Sequence, residues 1–199
     1  MDPKQRFDEA IARIDAANAA DPNTLDVKGS THPKELVHAE MLTRWVGELH
    51  PGASEALLLA ARAQHIRRWE HPRNEFPDGR TGYLRWRTGL KDFHAETVAT
   101  ILESCDYEAD TVDRVRTLVR KRAPAGDAEA QALEDGLCLV FMETQFEALN
   151  ERIADEKMVD VLRKTWAKMS AAGRGFALAL ELPPHHRELV VRALGPGEP

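Results

Sequence analysis

His38, His65, His94 and Asp135 are the residues of this sequence whose types and spacing could do chemistry. His38 is spaced with Met41, Leu42 and Trp45, and His65 with Leu58, Ala61 and Trp69. His94 falls with Leu90, Val98 and Ile101, and Asp135 with Ala132, Cys138, Leu139 and Met142. Apolar residues at such spacing form the inward stripe of a helix, so a polar residue on the stripe is the informative one. A single inward histidine is ordinarily satisfied by a carbonyl. An inward aspartate is costly without a partner and normally finds a metal or another cation. Were the four faces to converge, neutral imidazoles and a carboxylate would suit zinc, iron or manganese.

A second feature adjoins the first. From Arg62 to Lys91 the chain carries eight basic residues against Glu70, Glu75 and Asp78, although its net charge is −6. A local basic cluster in an acidic chain fits a small anionic ligand better than a nucleic-acid polymer, which needs a broad basic face. Guanidinium forks bind phosphate oxygens in pairs, which makes Arg68, Arg73, Arg80, Arg85 and Arg87 candidate substrate contacts. Trp69 and Trp86 would stack on a flat group or on an arginine plane. Lys91, three residues before His94, would face the same cleft as a catalytic candidate. The run from Arg114 to Arg122 reads as a solvated helix face, and "KTWAKMS" as structural.

These residues must be positioned by helices, because the periodicity is helical nearly throughout. Asp2-Pro3 starts the first helix, which ends near "AADPNT". A second runs from about His32-Pro33 to Pro51-Gly52, and a third from about Ser54 to Trp69. The loop from His71 to Gly82 precedes a fourth helix beginning near Tyr83. Asp110 caps a fifth, a sixth extends from about Asp127 toward Ile153, "EKMVDVLRKTWAKMS" is a seventh, and the tail holds one or two more. No strand alternation is evident. The expected architecture is a single all-α domain of about seven to nine helices, with its core over about 5–182 and a frayed tail over about 193–199.

Composition agrees, with 43% hydrophobic and 30% charged residues in a length suited to one packed domain. No apolar run approaches the roughly 20 residues of a membrane helix. The polar start is unlike a signal peptide, and Cys105 and Cys138 lack metal-finger spacing, so a reduced cytoplasmic protein is expected. A phosphate-binding glycine loop and a nucleophile elbow are both missing. An exposed apolar helix face would allow a homodimer.

The order of the stretches "LVHAEMLTRWVGEL", "LLLAARAQHI", "LKDFHAETVATIL" and "LEDGLCLVF" resembles the His-Asp metal-dependent phosphohydrolase superfamily, over roughly Val37 to Phe141. More closely, "AARAQHIRRW", "GYLRWR", "LEDGLCLVF" and "LRKTWAKMS" resemble a bacterial and fungal domain family of unknown function, over nearly the full length. The first resemblance implies a helical bundle holding a divalent metal (manganese, iron or zinc). Its ligands would be His65, His94 and Asp135, with His38. Where that superfamily has its His-Asp doublet, this chain reads Gln64-His65 or His65-Ile66, so the bridging carboxylate is missing. Glu70, Glu134 or Glu143 are the candidates to replace it, and Glu134 joins Lys91 as a catalytic candidate. The implied function is hydrolysis of a phosphate ester or nucleotide-like anion by metal-activated water with arginine clamps. The alternatives are a non-catalytic helical module for an anion or a protein, and an iron-dependent oxygenase of the same superfamily.

Overall fold

The computed structural model describes residues 2–27 and 29–195. The expected tail over 193–199 lies partly outside them, although the last helix continues to Leu194. The chain is one all-α bundle: α1 (Pro3–Ala19), α2 (Lys34–Leu49), α3 (Glu55–Ala63), α4 (Gly79–Glu103), α5 (Ala109–Val119), α6 (Ala128–Thr144), α7 (Phe146–Asn150), α8 (Asp155–Trp166), α9 (Ala171–Ala179) and α10 (Pro184–Leu194), with 3-10 turns at Arg68–Glu70 and Arg73–Glu75. No helix among the described residues is long and apolar enough to cross a membrane.

Local chemistry starts several of these helices where expected. Asp2 accepts from the Gln5 amide with Pro3 in the first turn, Ser54 accepts from Leu57, and Asp127 accepts from Ala130. A side-chain oxygen at these positions satisfies an amide that the first turn leaves without a carbonyl. The core then closes around α2, α3 and α6: α2 packs on α6 and α3, α3 on α5, α4 on α5, and α8 on α10. Leu57, Leu59, Ile66, Val98, Leu102, Leu139 and Met158 are fully buried there.

Three departures from the periodicity matter for the site. Thr24–Val27 and Ser30–Pro33 form an antiparallel hairpin, β1 and β2, where no strand was expected. β1 alternates polar and apolar residues over only four positions and β2 does not alternate at all; the pair is held by main-chain ladders, with Gly29 at φ +81° in the turn. The long sixth helix is broken at Gln145, where φ falls to −121°. That break turns Phe146 into the core, stacked on His186 at 4.3 Å.

The third departure moves His65. α3 ends at Ala63, so His65 sits in a turn and not on a helical stripe with Trp69. The turn is tied down on several sides. Ile66 is fully buried, and the Gln64 amide donates to the Val119 carbonyl at 3.2 Å. Arg67, with φ +53°, donates its N–H to Asn18 Oδ1 at 3.3 Å. A left-handed residue cannot continue a right-handed helix, so Arg67 redirects the chain.

Candidate functional site

Glu35, His38 and His65 offer one ligand atom each within 4.8 Å of one another. The first two lie three apart on α2, a spacing that stacks side chains on one helix face. The hairpin sets the start of that helix. Asp21, just before β1, accepts the Glu35 amide at 3.0 Å, and Lys34 N–H donates to the Asn23 carbonyl at 2.9 Å. Glu35 and His38 are each only 5% exposed, whereas the His65 side chain keeps 29% of its surface open.

The hydrogen bonds around the cluster fix which nitrogens carry protons. Thr144 Oγ1 donates to the Val140 carbonyl, so its contact with His38 Nε2 at 3.3 Å is one in which the ring nitrogen donates. His38 Nδ1 therefore keeps its lone pair, 3.4 Å from Glu35 Oε2. His65 Nδ1 stands 3.5 Å from the same oxygen. Neither contact has hydrogen-bond geometry, and Glu35 Oε2 and His38 Nδ1 are buried without a partner. Two lone pairs facing each other across 3.4 Å repel unless a cation lies between them. Burial alone would push the Glu35 carboxyl up; with a proton on the facing nitrogens, hydrogen bonds from His38 and His65 outweigh burial and hold the group well below the usual carboxylate range. The donor set, two nitrogens and one oxygen, fits zinc, iron or manganese.

His94 stands beside this cluster, its ring 6.1 Å from that of His65. Its Nδ1–H donates to the Ile66 carbonyl at 2.7 Å, which leaves Nε2 bare, buried and without a partner. Burial, helped by the neighbouring His65, lowers its pKa to about 3. Burial lowers His65 as well, against the pull of Glu35. A histidine held neutral in the fold but protonated once unfolded makes stability fall as pH drops. For His94 the window runs from about 6.5 down to about 3. One such proton costs about 1.4 kcal/mol per pH unit in that window. Urea unfolding of metal-free protein should therefore give a clearly lower midpoint at pH 5.5 than at pH 7, and His94→Gln should flatten the difference. An unchanged slope in the variant would remove His94 from this account.

Gln64 and His65 line both a small cavity of about 30 Å³ that holds Glu35 and His38, and a larger one of about 400 Å³. The larger cavity is basic. Arg68, Arg87, Lys91, Lys121 and Lys168 line it, against the single carboxylate of Glu134. Glu134 pairs with Lys121 and stands 3.7 Å from Lys168. Burial opposes its ionisation, yet those two lysines and Arg87 hold its pKa below the usual value. Tyr83, Trp86, Leu90, Leu137 and Phe141 supply the apolar wall, and the Arg68 guanidinium lies 5.1 Å from the centre of the Trp86 ring. Cys138 also lines the cavity, but burial, with Glu134 nearby, pushes its thiol up to about 12. It is not a thiolate near neutral pH.

The candidates read from sequence thus divide. His38, His65 and His94 come together, and Arg68, Arg87, Lys91 and Glu134 line the cavity beside them. Asp135 does not join them. Its carboxylate accepts from Ser170 N–H at 2.9 Å, Ser170 Oγ at 2.5 Å and Gln131 Nε2 at 3.0 Å, holding the residue that caps α9. Trp69, Arg73, Arg80 and Arg85 lie outside the cavity wall. Arg73 instead donates to the carbonyls of Phe76 and Pro77 and shapes its own loop, while Arg80 and Arg85 are exposed. Neither Glu70, which pairs with Arg67, nor Glu143, which accepts from Arg44 and Trp45, replaces the missing carboxylate. The carboxylate that stands among the histidines is that of Glu35, and its signal in the sequence is the Glu-x-x-His spacing to His38. Lys121 and Lys168 were also hidden, the first in the arginine run and the second in "KTWAKMS".

The Arg73 loop supports the cavity wall through close backbone packing. His71 accepts from Trp86 Nε1 at 2.8 Å, and a Cβ added at Gly82 would sit 1.8 Å from the Pro77 carbonyl oxygen. Gly82→Ala must therefore push the loop away or unwind the start of α4. The expected cost is about 1–3 kcal/mol, read as a fall in the thermal midpoint. Weaker binding of anions to the basic cavity should accompany it.

Residues 8–190 match the profile of the family described as Domain of unknown function (DUF4202). No curated protein and no solved structure matches the chain. Because that match spans almost the whole bundle, including every residue of the histidine cluster and the basic cavity, the chain belongs to the DUF4202 family.

Proposed function

We propose that this protein is a divalent-metal-dependent hydrolase of a small phosphate ester or nucleotide-like anion. The observation that carries the reading is the set of partnerless lone pairs on Glu35 and His38, next to His65, opening on a cavity with five cations and one carboxylate. Glu35, His38 and His65 would hold the ion, which when bound supplies a Lewis acid and a water acidic enough to react near neutral pH. Arg68 and Arg87 bind and orient the phosphate oxygens and offset charge that builds during displacement. Lys121 and Lys168 keep Glu134 ionised, and Glu134 and Lys91 are two groups in the wall able to exchange protons with substrate. Leu90, Leu137 and Phe141 exclude water and strengthen these charge contacts. The resemblance of the helix order to His-Asp phosphohydrolases supports the reading, with Glu35 in the ligand set in place of Asp135.

The test is elemental analysis of protein purified without added metal or chelator, followed by assays with p-nitrophenyl phosphate and mononucleotides. Near-stoichiometric manganese, iron or zinc is expected, with hydrolysis lost in EDTA and restored by the metal. Failure to bind any of the three ions after reconstitution would overturn the hydrolase reading. The basic cavity by itself favours a second reading, a module that binds the same anions without turning them over. Metal-independent binding of phosphate with no hydrolysis would select it.

A further inference from the structure

Lys91 differs from the other lysines of the basic cavity. Lys121 pairs with Glu134 and Lys168 stands near it, but Lys91 forms no ion pair with a carboxylate among the described residues. It is half-buried on α4, with Arg87 one turn earlier on the same helix, Lys121 and Arg122 beyond the end of α5, and Glu134 on α6. We propose that Lys91 is a nucleophilic lysine that takes an anionic aldehyde or ketone into the cavity as a Schiff base, independently of any metal. This goes beyond the hydrolase reading and does not rest on it.

Three observations carry it. Lys91 lines a cavity of about 400 Å³, within the roughly 300–1,000 Å³ of small-molecule pockets. The neighbouring cations Arg68 and Arg87 supply a seat for a phosphate or carboxylate on the same ligand, which would hold its carbonyl near the amine. Finally, the surroundings disfavour the ammonium form. Burial and then the charges of Arg87 and Lys121 lower the proton affinity of Lys91, with Glu134 opposing them. A lysine desolvated beside other cations is a recognised way of exposing a reactive amine.

The step balances without a further reagent. The Nζ lone pair adds to the carbonyl carbon and the carbon–oxygen π bond opens to a carbinolamine. Nitrogen then gives up its protons, the oxygen leaves as water and a carbon–nitrogen double bond remains. Glu134 is the carboxylate in the wall able to relay protons during that loss.

The test uses EDTA-treated full-length protein and pyridoxal 5′-phosphate, which joins an aldehyde and a phosphate on one ring. The imine is trapped with borohydride and the labelled peptides are mapped. Lys91 should be labelled at least about tenfold faster than any other lysine, the lower end of what a cleft of one charge sign adds to an anion's encounter rate. Inorganic phosphate should slow it, and pyridoxal, which lacks the phosphate, should lose most of the preference for Lys91. Lys91→Arg should remove the labelled peptide, and Arg68→Ala with Arg87→Ala should lose the preference while retaining the helical circular dichroism. Label spread over lysines in proportion to exposure would overturn the proposal, as would labelling of Lys91 indifferent to phosphate. Because no metal is present, either result is separate from the metal-binding test that decides the hydrolase reading.

Discussion

Replacing Glu35 by Gln is expected to weaken divalent-metal binding at least about 100-fold while leaving the helical bundle intact, since changing mere outer partners of a metal ligand already costs 10–100-fold. The direction follows from charge. Glu35 is the sole anion among the three clustered donors, and both histidines face its Oε2. In wild-type protein, metal at 100 times its dissociation constant should stabilise the fold by about 2.7 kcal/mol. That increment should vanish in the variant. The metal-free variant should unfold no earlier than metal-free wild type, because a glutamine amide in that place donates to the bare Nδ1 of His38 and removes a lone-pair conflict. A gain of about 1 kcal/mol is the scale of one such hydrogen bond. Calorimetric titration and thermal unfolding with and without metal decide it. Undiminished metal binding by the variant would exclude Glu35 as a ligand.

Asp135→Ala should do the reverse. Its carboxylate accepts three hydrogen bonds and ties α6 to the start of α9 through Ser170. It is 2% exposed, and a Cβ added at Gly173 would lie 2.6 Å from its carboxyl carbon, so α9 is seated directly against it. Hydrogen bonds to a charged group contribute about 1.5–3 kcal/mol each, and they are not additive. A loss of about 3 kcal/mol is expected, which for a chain of this size lowers the thermal midpoint by roughly 6–12 °C. Asp135→Asn, able to keep some of the contacts, should fall between. Metal stoichiometry should stay that of wild type in both. Loss of metal from a folded Asp135→Asn variant would return this residue to the ligand set.

The opposite outcomes expected for two buried acids show what could be read from the chain. Asp135 stands on an obvious apolar stripe and reads as a costly inward acid; Glu35 does not. Glu35 lies in the first turn of α2, where an acid is ordinary because it favours the helix N-terminus. Its Glu-x-x-His relation to His38 was legible, yet nothing local distinguishes such a pair from a solvated one. The hairpin that anchors it was not legible, since a single four-residue alternation in β1, paired with a β2 that has none, is too short to stand out as a period.

The basic residues divide in the same way. Charge density marked the segment from Arg62 to Lys91, and Arg68, Arg87 and Lys91 did reach the cavity. Arg73, Arg80 and Arg85 did not, because side-chain direction depends on where the chain turns. Lys121 entered from a run whose neighbours Arg114, Arg116 and Arg120 are taken up by ion pairs with other segments. Arg114, in the middle of α5, pairs with Asp127 and Glu129 and ties that helix to the start of α6. That tie helps to place Lys121 in the cavity wall it shares with Lys91.

What the sequence by itself determined is the all-helical class, the stretches that carry most of the helices, several of their starts, and the inward place of His38 and His94. These depend on propensity, capping and a repeat of three to four residues, all of which act between near neighbours along the chain. Only the tertiary structure decided which acid stands among the histidines, that His65 sits in a pinned turn, and that Asp135 holds Ser170. A buried polar atom takes its partner by distance in space, and Asp135 and Ser170 are 35 residues apart. Periodicity brings a side chain to the core; the packing of the other helices determines what it meets there.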